Sequence, residues 1–180
     1  SAENAFTGID LWAKHLKEKY NPKLQYFVIF YGGEPLLNKK VIKDSLDYLK
    51  KKQRVGELPK NINFMIATND ILIDDEIIAL CKKYKITVTV GLDGPKSIND
   101  ALKVDNNGVG TFDKIIAKIK LLVKNGVKTC VSVSITPFNI NQINDYSKFF
   151  AKLGVEKFGF NFLKGRALLD LVGQDGLENY

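Results

Sequence analysis

Five short apolar segments alternate along this chain with amphipathic ones, and that alternation leaves few architectures open. The strand-like runs are 26–31, 62–67, 86–90, 128–135 and 157–163, rich in Val, Ile, Phe, Tyr and Thr. Helical spacing fills 9–20, 39–53, 74–84, 111–126 and 141–153. Strands joined by helical crossovers run parallel, with right-handed connections. No GxGxxG follows the first strand and no Walker phosphate loop occurs, which argues against a flat dinucleotide-binding sheet. The expected class is α/β, a curved partial barrel of β/α units.

The punctuation agrees with this reading. Asn38 is placed to cap the second helix, whose inward set is Val41, Ile42, Leu46 and Leu49. Asp74-Asp75-Glu76 puts negative charge on the next helix start, ahead of Ile77, Ile78, Leu80, Cys81 and Tyr84. Thr111 is expected to cap a helix carrying Phe112, Ile115, Ile116, Ile119, Leu122 and Val123, which Gly126 ends. Ile143, Tyr146, Phe149 and Phe150 face inward on the last helix, and Gly154 stops it. The front helix sets Leu11, Trp12, His15 and Leu16 near one face. Residues 1–164 read as one domain; 165–180 read as a polar tail or the start of a linker, with a short apolar patch at Leu168–Val172.

A chain of 180 residues can bury a sizeable core. The net charge of +7 raises nucleic acid as a partner, but the lysines answer against it. Lys114, Lys118, Lys120 and Lys124 avoid the apolar stripe of one helix, and Lys50, Lys51 and Lys52 end another, where cations suit the dipole. No nucleic acid and no membrane are expected, since no apolar run is long enough to span a bilayer. The two cysteines, Cys81 and Cys130, stand in no CxxC-like cluster and read as packing residues, which points to a reducing, cytoplasmic setting and to no metal ligands. His15, the only histidine, reads as an ordinary helix residue. Ser1 to Ala5 look like the margin of a piece cut from something longer.

Polar residues gather at the strand exits: Gly32-Gly33-Glu34, Thr68-Asn69-Asp70, Asp93, Ser132, Ser134 with Thr136, and Asn161. Each alone is an ordinary turn residue. Repeated on successive strands, they mark the rim where α/β folds bind ligands. The two glycines lack Cβ, so a ligand can reach backbone carbonyls there. Carbonyls beside the Glu34 carboxylate suit a cation such as an amino-acid ammonium. Asp93-Gly94-Pro95 is at least a tight turn.

Read in order, Phe30-Tyr31-Gly32-Gly33-Glu34-Pro35-Leu36-Leu37, Ala67-Thr68-Asn69-Asp70-Ile71-Leu72-Ile73-Asp74, Val90-Gly91-Leu92-Asp93-Gly94-Pro95 and Gly108-Val109-Gly110-Thr111-Phe112-Asp113 resemble the radical S-adenosylmethionine (radical SAM) superfamily. The closest likeness is its peptide- and protein-modifying maturase branch, which includes the anaerobic sulfatase maturases. Asn161-Phe162-Leu163 followed by Gly165-Arg166-Ala167 echoes it again. The resemblance implies a partial (β/α)6-type TIM barrel. It implies that Gly32, Gly33 and Glu34 hold the methionyl ammonium of S-adenosylmethionine, with Thr68, Asn69, Asp93, Lys103, Ser132, Ser134 and Asn161 around the same cosubstrate. It implies reductive cleavage of that cosubstrate and hydrogen abstraction from a peptide or protein substrate. It names no catalytic residue.

Departures accompany it. The family's CxxxCxxC loop is absent, and neither Cys81 nor Cys130 matches it, so a four-iron four-sulfur cluster is expected only in a longer parent. Relative to the family, the first strand, the cluster loop and an auxiliary-cluster domain of the SPASM kind are missing, and this chain alone is expected to be inactive. Gly91 stands where serine is frequent, Lys103 where arginine is usual, Asn99 where histidine is, and Asp70 where glycine is. Lys103 keeps the charge but loses the bidentate fork. Two other readings follow: a non-catalytic barrel that binds peptide or protein as a scaffold, and, more weakly, a barrel lyase using Glu34 and Asp93. Loss of a first strand leaves 26–31 exposed at an edge, which predicts self-association.

Overall fold

A computed structural model describes residues 1–69 and 71–162. Asp70, the echo from Leu163 onward and the tail with Leu168–Val172 lie outside the described residues. The elements are α1 (Ala2–Lys19), β1 (Tyr26–Phe30), α2 (Lys39–Arg54), β2 (Ile62–Thr68), α3 (Asp75–Tyr84), β3 (Thr87–Gly91), α4 (Lys96–Leu102), α5 (Phe112–Lys124), β4 (Thr129–Ile135), α6 (Ile143–Lys152) and β5 (Lys157–Phe162). The sheet is five-stranded, in the order β1-β2-β3-β4-β5. No described helix is long and apolar enough to cross a membrane.

The chain divides into two compact units. The first contains α1 through α3. Its strands β1 and β2 are parallel, in a register that pairs Tyr26 with Ile62 and Phe30 with Ile66. Ile62, Phe64 and Ile66 on β2, Ile42, Leu46 and Leu49 on α2, and Ile77, Ile78 and Cys81 on α3 form its buried set. Asn38 caps α2 as expected, accepting from the Val41 N–H, and Asp74 caps α3 from the Ile77 N–H. The other face of β1 carries Phe27 and Ile29, 47% and 53% exposed.

Helix α1 starts seven residues before the expected Ile9, at Ala2, with Ser1 accepting from the Asn4 N–H. Its first turns are held from outside: Phe6 stacks on Tyr48 of α2, and the Tyr48 hydroxyl donates to Asp10 at 2.8 Å. Local periodicity carries no trace of that support. The buried stripe of α1 is Ala13 and Leu16; Leu11 and His15 are exposed, so the face expected from 11, 12, 15 and 16 is rotated.

The second unit begins at Val88 and includes Asn69 and Ile71. Strands β3, β4 and β5 are parallel, pairing Gly91 with Ser132 and Ser134 with Asn161. Val88, Val90, Val131, Val133 and Ile135 are buried on one face, with Ile115, Ile119 and Leu122 of α5 and Tyr146 and Phe150 of α6 in the same core. Partners in a parallel ladder share a face and successive residues alternate. The opposite face therefore carries Thr89, Gly91, Cys130, Ser132, Ser134, Gly159 and Asn161, all small or polar.

Two local expectations change here. A short helix, α4, occupies part of what reads as loop. It has no side-chain cap, and Asn99 on it is fully buried. Thr111 does not cap α5 with its side chain. The Phe112 N–H donates instead to Asp100 of α4 at 2.8 Å, and the Thr111 hydroxyl donates to the Lys103 carbonyl at 3.1 Å.

Candidate functional site

In the first unit, β1 runs out into Gly32-Gly33 and the chain turns through a short 3-10 segment, Pro35–Asn38. Glu34 caps that segment. Its Oε1 accepts from the Leu36 N–H at 2.9 Å and from the Thr68 hydroxyl, at the end of β2, at 2.7 Å. Leu36 is 2% exposed and pins the turn against the core. Two donors on one oxygen fix the plane of the carboxylate, so its orientation is set by the fold. Gly32 has φ +150°, and a Cβ added at Gly32 or Gly33 would meet nothing within 4 Å. The backbone there is open to a ligand. The structure brings Gly32, Gly33, Glu34 and Thr68 together.

The remaining candidates lie in the second unit. Asn69 turns its own loop, its Oδ1 accepting from the Ile71 N–H at 3.3 Å. Asp93, with only 4% of its side chain exposed, accepts from the Ser134 N–H at 2.7 Å through Oδ1 and meets the Lys103 ammonium at 3.1 Å through Oδ2. Asn161 donates to the Ser132 hydroxyl at 2.6 Å across the β4–β5 pair. The structure thus brings Asp93, Lys103 and Ser134 together, and Ser132 with Asn161.

Sequence reasoning passed over the groups that hold Asp93. Its carbonyl accepts from Tyr146 Oη at 2.9 Å and Asn139 Nδ2 at 3.1 Å, both fully buried donors. Asn139 also donates to the Ser134 carbonyl at 2.8 Å and accepts from the Thr136 N–H at 2.8 Å. Burial, then the nearby Asp93 charge, push the Tyr146 hydroxyl up to about 12, so it stays a donor through the working pH range. The available signal was Asn139 just beyond a strand exit, a residue type that bonds local backbone. Gly91 explains part of the Lys103 arrangement: a Cβ there would stand 3.2 Å from the ammonium, which would have to move aside.

The thiols do not suit an iron–sulfur cluster. Burial pushes Cys81 up to about 12 and raises Cys130 as well, which disfavours the thiolates such a cluster needs. Among the described residues, no group of three or more His, Cys, Asp or Glu is arranged to hold a metal.

Comparison with known proteins fits this geometry. Residues 9–150 match the family model described as the radical SAM superfamily. An uncharacterised protein of Methanocaldococcus jannaschii is 27% identical over 87% of this chain and 53% of its own length. A cysteine-type anaerobic sulfatase-maturating enzyme of Clostridium novyi is 30% identical over 79% of this chain and 36% of its own length. Among solved structures, native anSMEcpe with bound AdoMet and Kp18Cys peptide superposes with a TM-score of 0.72 at 21% identity, covering 94% of this chain and 52% of that one. The fold is therefore the α/β partial-barrel type, with five strands among the described residues. The chain belongs to the radical SAM superfamily, and its likeness runs to the maturase branch. It spans about half or less of the length of these relatives.

Proposed function

We propose that this chain is part of a radical SAM enzyme that modifies a peptide or protein, and that it supplies much of the S-adenosylmethionine site. One observation carries the reading: a carboxylate held by two donors beside two glycines at which an added Cβ would meet nothing within 4 Å among the described residues. That arrangement fits the ammonium of a methionyl group, with Glu34 as the charge and the backbone at Gly32 and Gly33 as neutral acceptors. Thr68 positions Glu34. Asn69, Asp93, Lys103, Ser132, Ser134 and Asn161 are assigned to the same cosubstrate by family resemblance; of these, Lys103 brings the cation suited to a carboxylate.

When bound and reductively cleaved, S-adenosylmethionine supplies a radical able to abstract hydrogen from an unreactive carbon; the protein's share is to orient it. The cluster that delivers the electron requires thiolates from outside these residues, so the full reaction belongs to a longer parent and this chain alone is inactive. A peptide or protein substrate is favoured by the sulfatase-maturating relative and the peptide-bound neighbour.

Calorimetric titration with S-adenosylmethionine tests the site. Saturable binding is expected, and Glu34→Gln should weaken it about tenfold or more, the worth of one charge-assisted contact. Equal affinity in both proteins, or no binding at millimolar cosubstrate, would overturn the assignment. The latter result would favour a non-catalytic scaffold, a reading supported by Lys103 and Asp93 being engaged with each other at 3.1 Å.

The β1 edge gives a second expectation. Phe27 and Ile29 are about half exposed on a strand that ends the sheet order, and Tyr31, just past its end, is 81% exposed. Light scattering should show mass rising with protein concentration. A constant monomer mass at high concentration would dismiss self-association.

A further inference from the structure

At the other end of β1 and β2, where the strands begin, the first unit has an open cleft of about 710 Å³. Five lysines line it, Lys23, Lys50, Lys60, Lys83 and Lys85, together with Gln25, Asn61 and Asn63. Among the described residues, no Asp or Glu lines it. Lys83 meets Asp47 at 3.6 Å; the ammonium groups of the other four form no ion pair among the described residues.

Surface lysines are ordinarily solvated one by one, so the arrangement has to be weighed. Two helices, α2 and α3, end beside the cleft, and their dipoles contribute about half a negative charge each. Asp47 offsets roughly one charge more, which leaves an excess of about three positive charges. The ammonium heads are not all swept into solvent. Lys50 lies 4.8 Å over the Phe64 ring and Lys83 lies 4.7 Å over Tyr84, both rings being part of the wall. Burial, and then the charge of Lys85, depress the Lys50 ammonium below its ordinary value.

We propose that this cleft is a binding site for a small ligand bearing two or more adjacent phosphate groups. Lysines act as point charges and suit phosphate oxygens, and among the described residues no arginine lines the cleft to favour a planar carboxylate. The volume falls in the range of small-molecule sites and is far larger than one orthophosphate needs. Asn61 accepts from the Tyr20 hydroxyl at its carbonyl oxygen, and its amide N–H groups are donors suited to phosphate oxygens. The site lies at the opposite strand ends from Gly32-Gly33-Glu34 and does not depend on the cosubstrate reading.

Calorimetric titration of this chain with tripolyphosphate and with orthophosphate tests the site. Tripolyphosphate should bind saturably and at least about tenfold more tightly than orthophosphate, because several charges engage at once. The Lys50→Gln/Lys60→Gln/Lys85→Gln variant should lose about tenfold or more, while Lys120→Gln/Lys124→Gln/Lys128→Gln, with the same charge change elsewhere, should bind like the parent. Glu34→Gln should not alter tripolyphosphate binding. Equal losses in the two triple variants, no saturable binding, or tighter binding of a short oligothymidylate than of tripolyphosphate would each overturn the proposal.

Discussion

Replacing Asp93 by alanine should lower the unfolding free energy by about 3 kcal/mol, read as a reduced urea midpoint at unchanged slope. The carboxylate is almost fully buried and both oxygens are engaged, one by the Ser134 N–H at 2.7 Å and one by Lys103 at 3.1 Å. Alanine strips the acceptor from the β4 backbone and leaves the lysine without its counter-ion. The lysine side chain is 33% exposed and can recover part of its hydration, which keeps the loss at the lower end for a broken buried pair. Asp93→Asn keeps an acceptor for Ser134 and should cost roughly half as much. The double variant Asp93→Ala/Lys103→Met should be less destabilised than the two single losses combined, by about 1 kcal/mol. Additivity within experimental error would mean that the pair is not coupled. A ligand carboxylate reaching Lys103 would share an ammonium that Asp93 already orients.

The same residues show what was legible in the sequence. The strands are readable because apolar and aromatic residues gather in short runs, and β1, β2, β4 and β5 fall where those runs are, although β1 is half exposed and β5 exposed along its length. Glu34 stands out in the sequence as a carboxylate straight after Gly-Gly at a strand exit; in the fold it caps the turn that follows, and its bond to Thr68 joins two strand exits. Asn139 and Tyr146 were not readable as holders of Asp93. Their partner lies 46 and 53 residues away, and nothing in the local pattern distinguishes a core tyrosine from a donor aimed at a loop carbonyl. Helix α4 was missed for a similar reason. At seven residues it is too short to stand on propensity, and it is held by tertiary bonds from Asn99 and Asp100 to Thr111 and Phe112. The lysine cleft escaped because its charges come from four separate segments, each of which alone looks like an ordinary helix end or turn.

Gly94→Ala should be the more damaging single-atom change, costing about 3–4 kcal/mol in urea or thermal unfolding. Gly94 has φ +132°, a conformation that resists any L side chain. A Cβ there would also collide with the Tyr146 hydroxyl and stand 2.8 Å from its ring carbon Cζ. The ring cannot swing away cheaply. Tyr146 is fully buried, packed edge-on against Phe150 at 5.8 Å and beside Phe160 at 6.4 Å. Tyr146→Phe alone should cost only about 1 kcal/mol, because Asn139 still donates to the Asp93 carbonyl when the hydroxyl is gone. Combined with Gly94→Ala it removes the nearest clashing atom but neither the Cζ contact nor the backbone strain. The pair should therefore recover part of the loss and no more. Full recovery would show that the hydroxyl contact alone excludes a side chain at 94. No recovery would show that backbone conformation alone does. Partial recovery makes Gly94 the point where the loop after β3 is clamped to α6, and through the Asp93 carbonyl that clamp sets where the carboxylate and the Lys103 ammonium are presented.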